Sequence, residues 1–148
     1  MRITRSIEIA ADIEQVFGFH TDPANLLKIT PPNIRVEILR HDPPGRGAVV
    51  VLRVKPLPFV TQTWEMCFDE FDPPRRLSDV QVRGPFNTWR QTREFASSPE
   101  GMVLTDTVDY TLPLGFLGVL ADALFVRRQI GAMFAHRQKT IKRLLEPQ

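Results

Sequence analysis

The middle of the chain, residues 34–111, consists of short runs in which apolar and polar residues alternate, separated by turns rich in proline and glycine. Alternation with a period of two is typical of β-strands, and proline is rare inside strands. The short connections favour antiparallel pairing of successive strands. The predicted strands are 34–40, 48–54, 60–71, 77–83, 86–95 and 102–111.

The first thirty residues add one strand and two short helices to this series. Residues 3–9 alternate isoleucine with polar side chains, which predicts a further strand. Asp12 can cap a short helix, and Asp22 followed by Pro23 is typical of the start of another. Pro31 and Pro32 then end the helical pattern.

The last segment, residues 119–145, has the periodicity of a long amphipathic helix. Its predicted apolar face contains Leu120, Ala123, Val126, Ile130, Met133, Phe134, Ile141, Leu144 and Leu145. A sheet with one apolar face needs a cover, and this helix is the only predicted element long enough. The order of elements therefore predicts an α+β domain in which a curved, seven-stranded antiparallel sheet wraps around the C-terminal helix and leaves room for a ligand.

Composition limits the functional class and the compartment. The 148 residues suit one domain spanning 1–148, and a net charge of +2 without basic clusters does not favour nucleic-acid binding. Cys67 is the only cysteine, which fits a reducing compartment. The most apolar stretch, 112–126, is shorter than the ~20 residues that span a bilayer. We expect a soluble, cytoplasmic protein; the sequence leaves its oligomeric state open.

Three stretches carry a resemblance to a known family: Asp79-Val-Gln-Val-Arg-Gly-Pro-Phe-Asn-Thr-Trp89, Asp106-Thr-Val-Asp-Tyr-Thr-Leu-Pro-Leu-Gly115 and Phe134-Ala-His-Arg137. They resemble the START-like (SRPBCC) superfamily, in the branch of small bacterial proteins of polyketide cyclase/dehydrase type. The resemblance implies a helix-grip fold and binding of a hydrophobic ligand. Members of the superfamily cyclise polyketides, and relatives carry lipids or quinones.

The sequence departs from that branch after Trp89. The branch typically reads Trp-x-His-x-His-x-Phe, whereas Gln91 and Arg93 stand at the two histidine positions here. Glutamine does not titrate, and arginine stays protonated under ordinary conditions. An acid–base role for imidazoles at these positions is therefore excluded.

The candidate ligand-binding residues are those that alternation and helix periodicity place on the interior faces, together with the family motif. They are Trp64, Met66, Trp89, Gln91, Arg93, Phe95, Asp106, Tyr110, Phe134 and Arg137. The aromatic members are equally typical of an ordinary core. Arg93 and Asp106 should face each other on paired strands, as either a functional or a structural ion pair.

Two apolar loops are candidates for the mouth of the pocket or for a membrane contact. They contain Leu57 and Phe59 in one, and Phe116 and Leu117 in the other. Packing of each loop on the local core is the alternative interpretation.

The leading functional hypothesis is binding of a hydrophobic or amphipathic small molecule such as a lipid, quinone or polycyclic compound. One alternative is a cyclase or dehydratase in which Asp106, Tyr110 and Arg93 act on the substrate. Another is a regulator that associates with a membrane or a protein partner. No metal or cofactor is predicted, because His20, His41 and His136 lie in different elements without ligand spacing.

Overall fold

Seven strands form one antiparallel sheet, as the turn pattern predicts. The computed structural model describes residues 1–147, and the side chains of all of these except Pro56 and Leu57. The strands are β1 (Arg2–Ile9), β2 (Arg35–His41), β3 (Val49–Leu57), β4 (Val60–Asp72), β5 (Arg76–Arg83), β6 (Thr88–Ser98) and β7 (Gly101–Thr111). Their order in the sheet is β1-β7-β6-β5-β4-β3-β2. The predicted α+β helix-grip architecture is confirmed.

Irregular pairing along the long central strand accounts for the curvature of the sheet. Strand β4 shifts register against β5 between Glu65 and Met66, and again between Phe68 and Glu70. An extra residue on one strand of an antiparallel pair bends that strand and increases its twist. The sheet can therefore curl around a helix.

The helices follow the predicted order but differ at one boundary. They are α1 (Ile13–Thr21), α2 (Ala24–Ile29), α3 (Phe116–Ala121) and α4 (Arg127–Leu145), with a π-helical turn at Asp122–Val126 joining the last two. The C-terminal helical region thus begins at 116 rather than 119. Phe116, Leu117 and Gly118, predicted to lie in a flexible loop, are helical.

The π-helical turn changes which side of the C-terminal helix faces the sheet. Its backbone bond runs from the Arg127 N–H to the Asp122 carbonyl, one residue further along the chain than in an α-helix. As a result Asp122 is buried, whereas Leu120 and Ala123 are exposed. The prediction that Leu120 and Ala123 face the core was wrong, because it assumed an uninterrupted 3.6-residue period.

Helix α4 lies along one side of the sheet rather than over its centre. The side chain of Gln138 donates from Nε2 to the Arg5 carbonyl at 3.0 Å, and Lys142 Nζ donates to the Glu8 carbonyl at 2.9 Å. These bonds fix α4 against β1 at the edge of the sheet. Below α1, a closed core forms around Phe17, Phe95 and Ile141. The inner face of the strands between β2 and β6 is left only partly covered.

Candidate functional site

A cavity of about 570 Å³ lies between the inner face of the sheet and helices α2 and α4. Most of its lining is apolar, contributed by Leu26 and Ile29 of α2, Leu52 of β3, and Ile130 and Met133 of α4 among others. Ligand sites in proteins usually have about 300–1,000 Å³ and combine apolar walls with a few polar groups. The cavity is therefore large enough for a lipid chain or a polycyclic molecule.

Aromatic side chains form one wall. The ring of Trp89 lies 4.7 Å from that of Phe86 and 5.8 Å from that of Trp64, measured between centroids. Gln81 holds this wall in place: its side-chain amide donates to the Phe86 carbonyl and accepts from the Phe86 N–H, at 2.8 and 3.2 Å. A Cβ on Gly84 would lie 2.4 Å from the Gln81 amide oxygen, so a larger residue there would displace the Gln81 side chain.

The lining residues that are also exposed show where the cavity opens. Asp22 precedes α2, Asn33 follows it, and Gln129 and Ala132 lie on α4. The mouth therefore lies between the two ends of α2 and the first turns of α4. The predicted mouth residues Phe59, Phe116 and Leu117 do not line the cavity, and the side chain of Leu57 lies outside the described residues. Phe59, Phe116 and Leu117 are instead exposed on the surface.

Polar groups are concentrated where β5 and β6 pass beneath α1 and α4. Arg93 Nη1 donates to Asp79 Oδ1 at 3.0 Å, and both side chains are largely buried. Burial raises the pKa of Asp79, and the neighbouring Arg93 opposes that shift. Gln91, two residues from Arg93 on the same strand face, also lines the cavity.

His20, at the end of α1, adds a neutral imidazole to this polar group. Its Nδ1 donates to the Val16 carbonyl at 2.8 Å, and its ring packs edge-on against Phe95. Burial, followed by the positive charge of Arg93, lowers the pKa of His20 to about 4. At neutral pH, the bond to Val16 places the single ring proton on Nδ1, and Nε2 can accept a hydrogen bond.

Arg137 completes the polar group from α4. Its Nε is buried and has no hydrogen-bond partner among the described residues, and its guanidinium carbon lies 5.3 Å from the centroid of the Phe134 ring. Burial, followed by the charge of Arg93, lowers the pKa of Arg137 to about 10. The group still remains protonated at neutral pH.

The predicted ligand-binding residues divide into two sets. The cavity is lined by Trp64, Met66, Trp89, Gln91, Arg93 and Arg137. Phe95, Asp106, Tyr110 and Phe134 are buried beside it but do not line it. Phe95 is covered by Phe17 of α1, with ring centroids 5.1 Å apart, and Phe134 packs into a core cluster with Val108 and Ile130.

The groups predicted for catalysis are not brought together at the cavity. Asp106 accepts a hydrogen bond from Gln138 Nε2 at 2.9 Å, beneath α4. The Tyr110 hydroxyl donates to the Asp122 carboxylate; burial and this bond raise the pKa of the phenol. Of the three predicted groups, only Arg93 reaches the cavity wall.

The predicted ion pair between Arg93 and Asp106 was wrong in its partner, although the strand register was right. The two residues are opposite each other on β6 and β7. Arg93 nevertheless forms its ion pair with Asp79 of β5, and Asp106 accepts a hydrogen bond from Gln138 of α4. The prediction considered only the two paired strands β6 and β7, so it could not include partners from β5 or α4.

Sequence reasoning missed several polar lining residues, among them His20, Asp79 and His136. Asp79 could have been found, because it alternates with Leu77 on the inner face of β5 and begins the first family stretch. His136 was assigned to the polar side of the helix, yet it lines the cavity. His20 gives no local signal, since its position depends on how α1 packs against β6.

The described residues contain neither a candidate metal site nor a candidate membrane-spanning helix. Within residues 1–147, no group of three His, Cys, Asp or Glu side chains is arranged to hold a metal ion. Over the same residues, no helix combines the length and apolar character needed to cross a membrane.

Comparison with solved structures shows the same fold across whole chains. A protein of Chromobacterium violaceum superposes with a TM-score of 0.80 at 19% identity, covering 100% of this chain and 99% of the other. A START superfamily protein of Mycobacterium smegmatis gives 0.71 at 15% identity, covering 97% and 96%. The di-domain aromatase/cyclase StfQ of the steffimycin biosynthetic pathway gives 0.76 at 14%, covering 97% of this chain and 50% of StfQ.

Sequence comparison identifies the family. No curated protein matches the chain. The model of one family, described as polyketide cyclase / dehydrase and lipid transport, matches residues 1–146. That match spans the sheet, the cavity and α4, and it agrees with the resemblance carried by the three sequence stretches. The chain therefore belongs to the polyketide cyclase/dehydrase and lipid transport family.

Proposed function

We propose that residues 1–148 form one ligand-binding domain that carries or sequesters a hydrophobic or amphipathic small molecule, such as a lipid, a quinone or a polycyclic compound. The observation that supports this most is the cavity of about 570 Å³, whose lining is mostly apolar and aromatic and includes a polar group formed by Arg93, Asp79, His20 and Arg137. An apolar body would lie against Trp64 and Trp89, and a polar end would face Arg93.

Names of related proteins support a small-molecule ligand but leave its class open. Lipid transport is part of the family description. StfQ is named as an aromatase/cyclase of a biosynthetic pathway. A cyclase mechanism using Asp106 and Tyr110 is not proposed for this chain, because both side chains are hydrogen-bonded away from the cavity.

The proposal is tested by native mass spectrometry of protein purified from its own host, followed by denaturation to release and identify any bound molecule. Leu52→Trp serves as the blocking variant, because Leu52 lines the cavity and a larger ring would occupy ligand volume. Leu39→Trp, at an exposed position of β2, is the matched control. We expect an added mass on the wild type and on Leu39→Trp, and its loss from Leu52→Trp.

Two outcomes would contradict the proposal. An added mass retained equally by Leu52→Trp would mean that the molecule binds outside the cavity. An empty wild type that also shows no thermal shift with a broad panel of lipids and aromatic compounds would leave no ligand for the cavity. The melting temperatures of the two tryptophan variants are compared first, so that loss of binding is not confused with loss of folding.

One surface feature favours a second proposal, that the domain contacts an anionic membrane when it exchanges its ligand. The exposed apolar surface, defined as the exposed large apolar residues of the segment 114–125, is formed by Leu114, Phe116, Leu117, Val119, Leu120, Leu124 and Phe125. Arg127 and Arg128, both exposed, follow it directly. Apolar side chains next to basic ones are the combination that binds anionic lipid surfaces.

A further inference from the structure

Arg137 is a cavity-lining cation without a counterion of its own. Within residues 1–147, no carboxylate lies within 4.0 Å of its guanidinium, whereas Arg93 has Asp79 at 3.0 Å. Arg137 makes no hydrogen bond among the described residues, and its Nε is buried. Its guanidinium carbon lies over the ring of Phe134, 5.3 Å from the ring centroid. A buried guanidinium usually satisfies its donors with acceptors, so these donors are available to a ligand.

The neighbouring carboxylates are already occupied. Asp79 accepts from Arg93, and Asp106 accepts from Gln138 Nε2 at 2.9 Å. His20 is neutral at pH 7, and its Nδ1 proton is donated to Val16. Arg137 therefore retains a positive charge that neither carboxylate neutralises directly. Burial and then the like charge of Arg93 lower the pKa of Arg137, and the charges of Asp106 and Asp79 offset only part of that shift.

An anion bound at Arg137 would offset both the burial of the guanidinium and its repulsion by Arg93. A desolvated charge is stabilised when an opposite charge is placed within hydrogen-bond reach. One unpaired guanidinium matches one carboxylate, which it can bind through two parallel N–H···O bonds. A phosphate dianion would require a second free cation, and Arg93 is already paired with Asp79. The single guanidinium without a direct partner thus favours a monoanion.

We propose that the natural ligand carries a carboxylate that binds Arg137, with its apolar body lying along the aromatic wall of Trp64, Phe86 and Trp89. This inference rests on the proposed function, because it names the chemical class of ligand for the same cavity. Gln91 also lines the cavity, and its side-chain amide is a further donor for a carboxylate oxygen.

The test compares two fluorescent probes that share one apolar body, 1-pyrenebutyrate and 1-pyrenebutanol, by anisotropy titration at pH 7.5. Wild-type protein is expected to bind the carboxylate about tenfold more tightly than the alcohol, since a charge-assisted hydrogen bond in a partly desolvated site contributes that much. Arg137→Gln should lose this preference and keep its affinity for the alcohol. Arg143→Gln, which removes an exposed arginine from the same helix, should behave as the wild type.

Each alternative result has a separate meaning. Equal affinity of the wild type for both probes would overturn the carboxylate proposal and leave the binding function intact. A preference that persists in Arg137→Gln would overturn the role of Arg137. Failure of the wild type to bind either probe would count against the proposed function itself. Arg137→Lys guards against misfolding: it keeps the charge without the planar fork, and we expect it to retain part of the preference.

Discussion

His20 shows how a residue without a sequence signal becomes part of the site. Its spacing from other histidines and acids suggests no metal ligand, and it ends a short helix. Only the packing of α1 against β6 brings it beside Phe95 and into the field of Arg93. Alternation, in contrast, placed Trp64, Trp89, Gln91 and Arg93 on the inner face of the sheet, and all four line the cavity. It could not show which inner-face residues α1 and α4 would cover, and Phe95 and Asp106 are buried beside the cavity without lining it.

The lowered pKa of His20 makes folding stability depend on pH. Its imidazole has a pKa of about 4 in the folded state against 6.5 when unfolded, so between these values the unfolded chain binds the extra proton. The free energy of unfolding should therefore fall as the pH drops from 7 to 4.5. After allowance for partial exposure, the loss due to His20 is roughly 2 kcal/mol.

Urea unfolding of His20→Asn between pH 7 and 4.5 checks this prediction. Asparagine keeps a donor for the Val16 carbonyl and removes the titrating ring, so the variant should lack that part of the pH dependence. His41→Asn, at an exposed position, should follow the wild type. The raised pKa of Asp79 has the opposite effect on the free energy of unfolding, because the folded state then binds the proton more readily as the pH falls. All three proteins share this contribution. If the free energy of unfolding changes equally with pH in the wild type and in His20→Asn, the lowered pKa of His20 is contradicted.

At the scale of elements, the sequence predicted the strands well because each is bounded by turn residues that end it. Pro73 and Pro74 separate β4 from β5, and the turn before Gly101 separates β6 from β7. The C-terminal helix was predicted less well. A periodicity analysis assumes one continuous helix, and the π-helical turn at Asp122–Val126 interrupts it where the buried Asp122 accepts from Tyr110. That bond links β7 to the helical turn across 12 residues, a separation that the periodicity of neither element reveals.

Two glycines of the C-terminal helical region should respond in opposite ways to alanine. A Cβ on Gly118 would lie 2.4 Å from the Pro113 carbonyl oxygen, whereas a Cβ on Gly131 would have no atom within 4 Å. We expect Gly118→Ala to lower the free energy of unfolding by roughly 1–3 kcal/mol through overpacking. Gly131→Ala should raise it by about 0.5–1 kcal/mol through helix propensity.

Thermal and urea denaturation of both variants measure this difference, and each serves as the control for the other. If both substitutions stabilise the protein, the close contact between α3 and the preceding loop does not exist. If both destabilise it, α4 has no room on the side where Gly131 lies.

At the scale of the whole molecule, the cavity and the exposed apolar surface lie on one continuous stretch of chain. Phe125 belongs to the surface, and the next residue, Val126, lines the cavity. The proposed membrane contact would therefore lie next to a helix that forms part of the cavity wall. The sequence suggested this segment as a pocket mouth or a membrane contact; its residues Phe116 and Leu117 do not line the cavity, and the membrane contact stays a proposal.

Co-sedimentation with phosphatidylcholine vesicles containing phosphatidylglycerol tests the membrane proposal. The double variant Phe116→Gln with Phe125→Gln should reduce binding at least about tenfold, since burial of each ring contributes more than 1 kcal/mol. The matched control is Leu39→Gln with Val82→Gln, which removes exposed apolar side chains from β2 and β5. Equal sedimentation of both double variants would contradict the proposal. Because Phe116 is 79% exposed and Phe125 is 67% exposed, folding should be little affected.

The most direct test of the central claim is methyl NMR during a titration with 1-pyrenebutanol, whose ring currents shift nearby resonances. If the cavity binds the apolar body, the methyl signals of Leu52, Met66, Ile130 and Met133 should shift together. Those of Met102 and Leu104, sealed in the closed core, should stay unchanged. Shifts confined to the exposed leucines of α3, or no shifts at all, would show that the cavity is not the binding site.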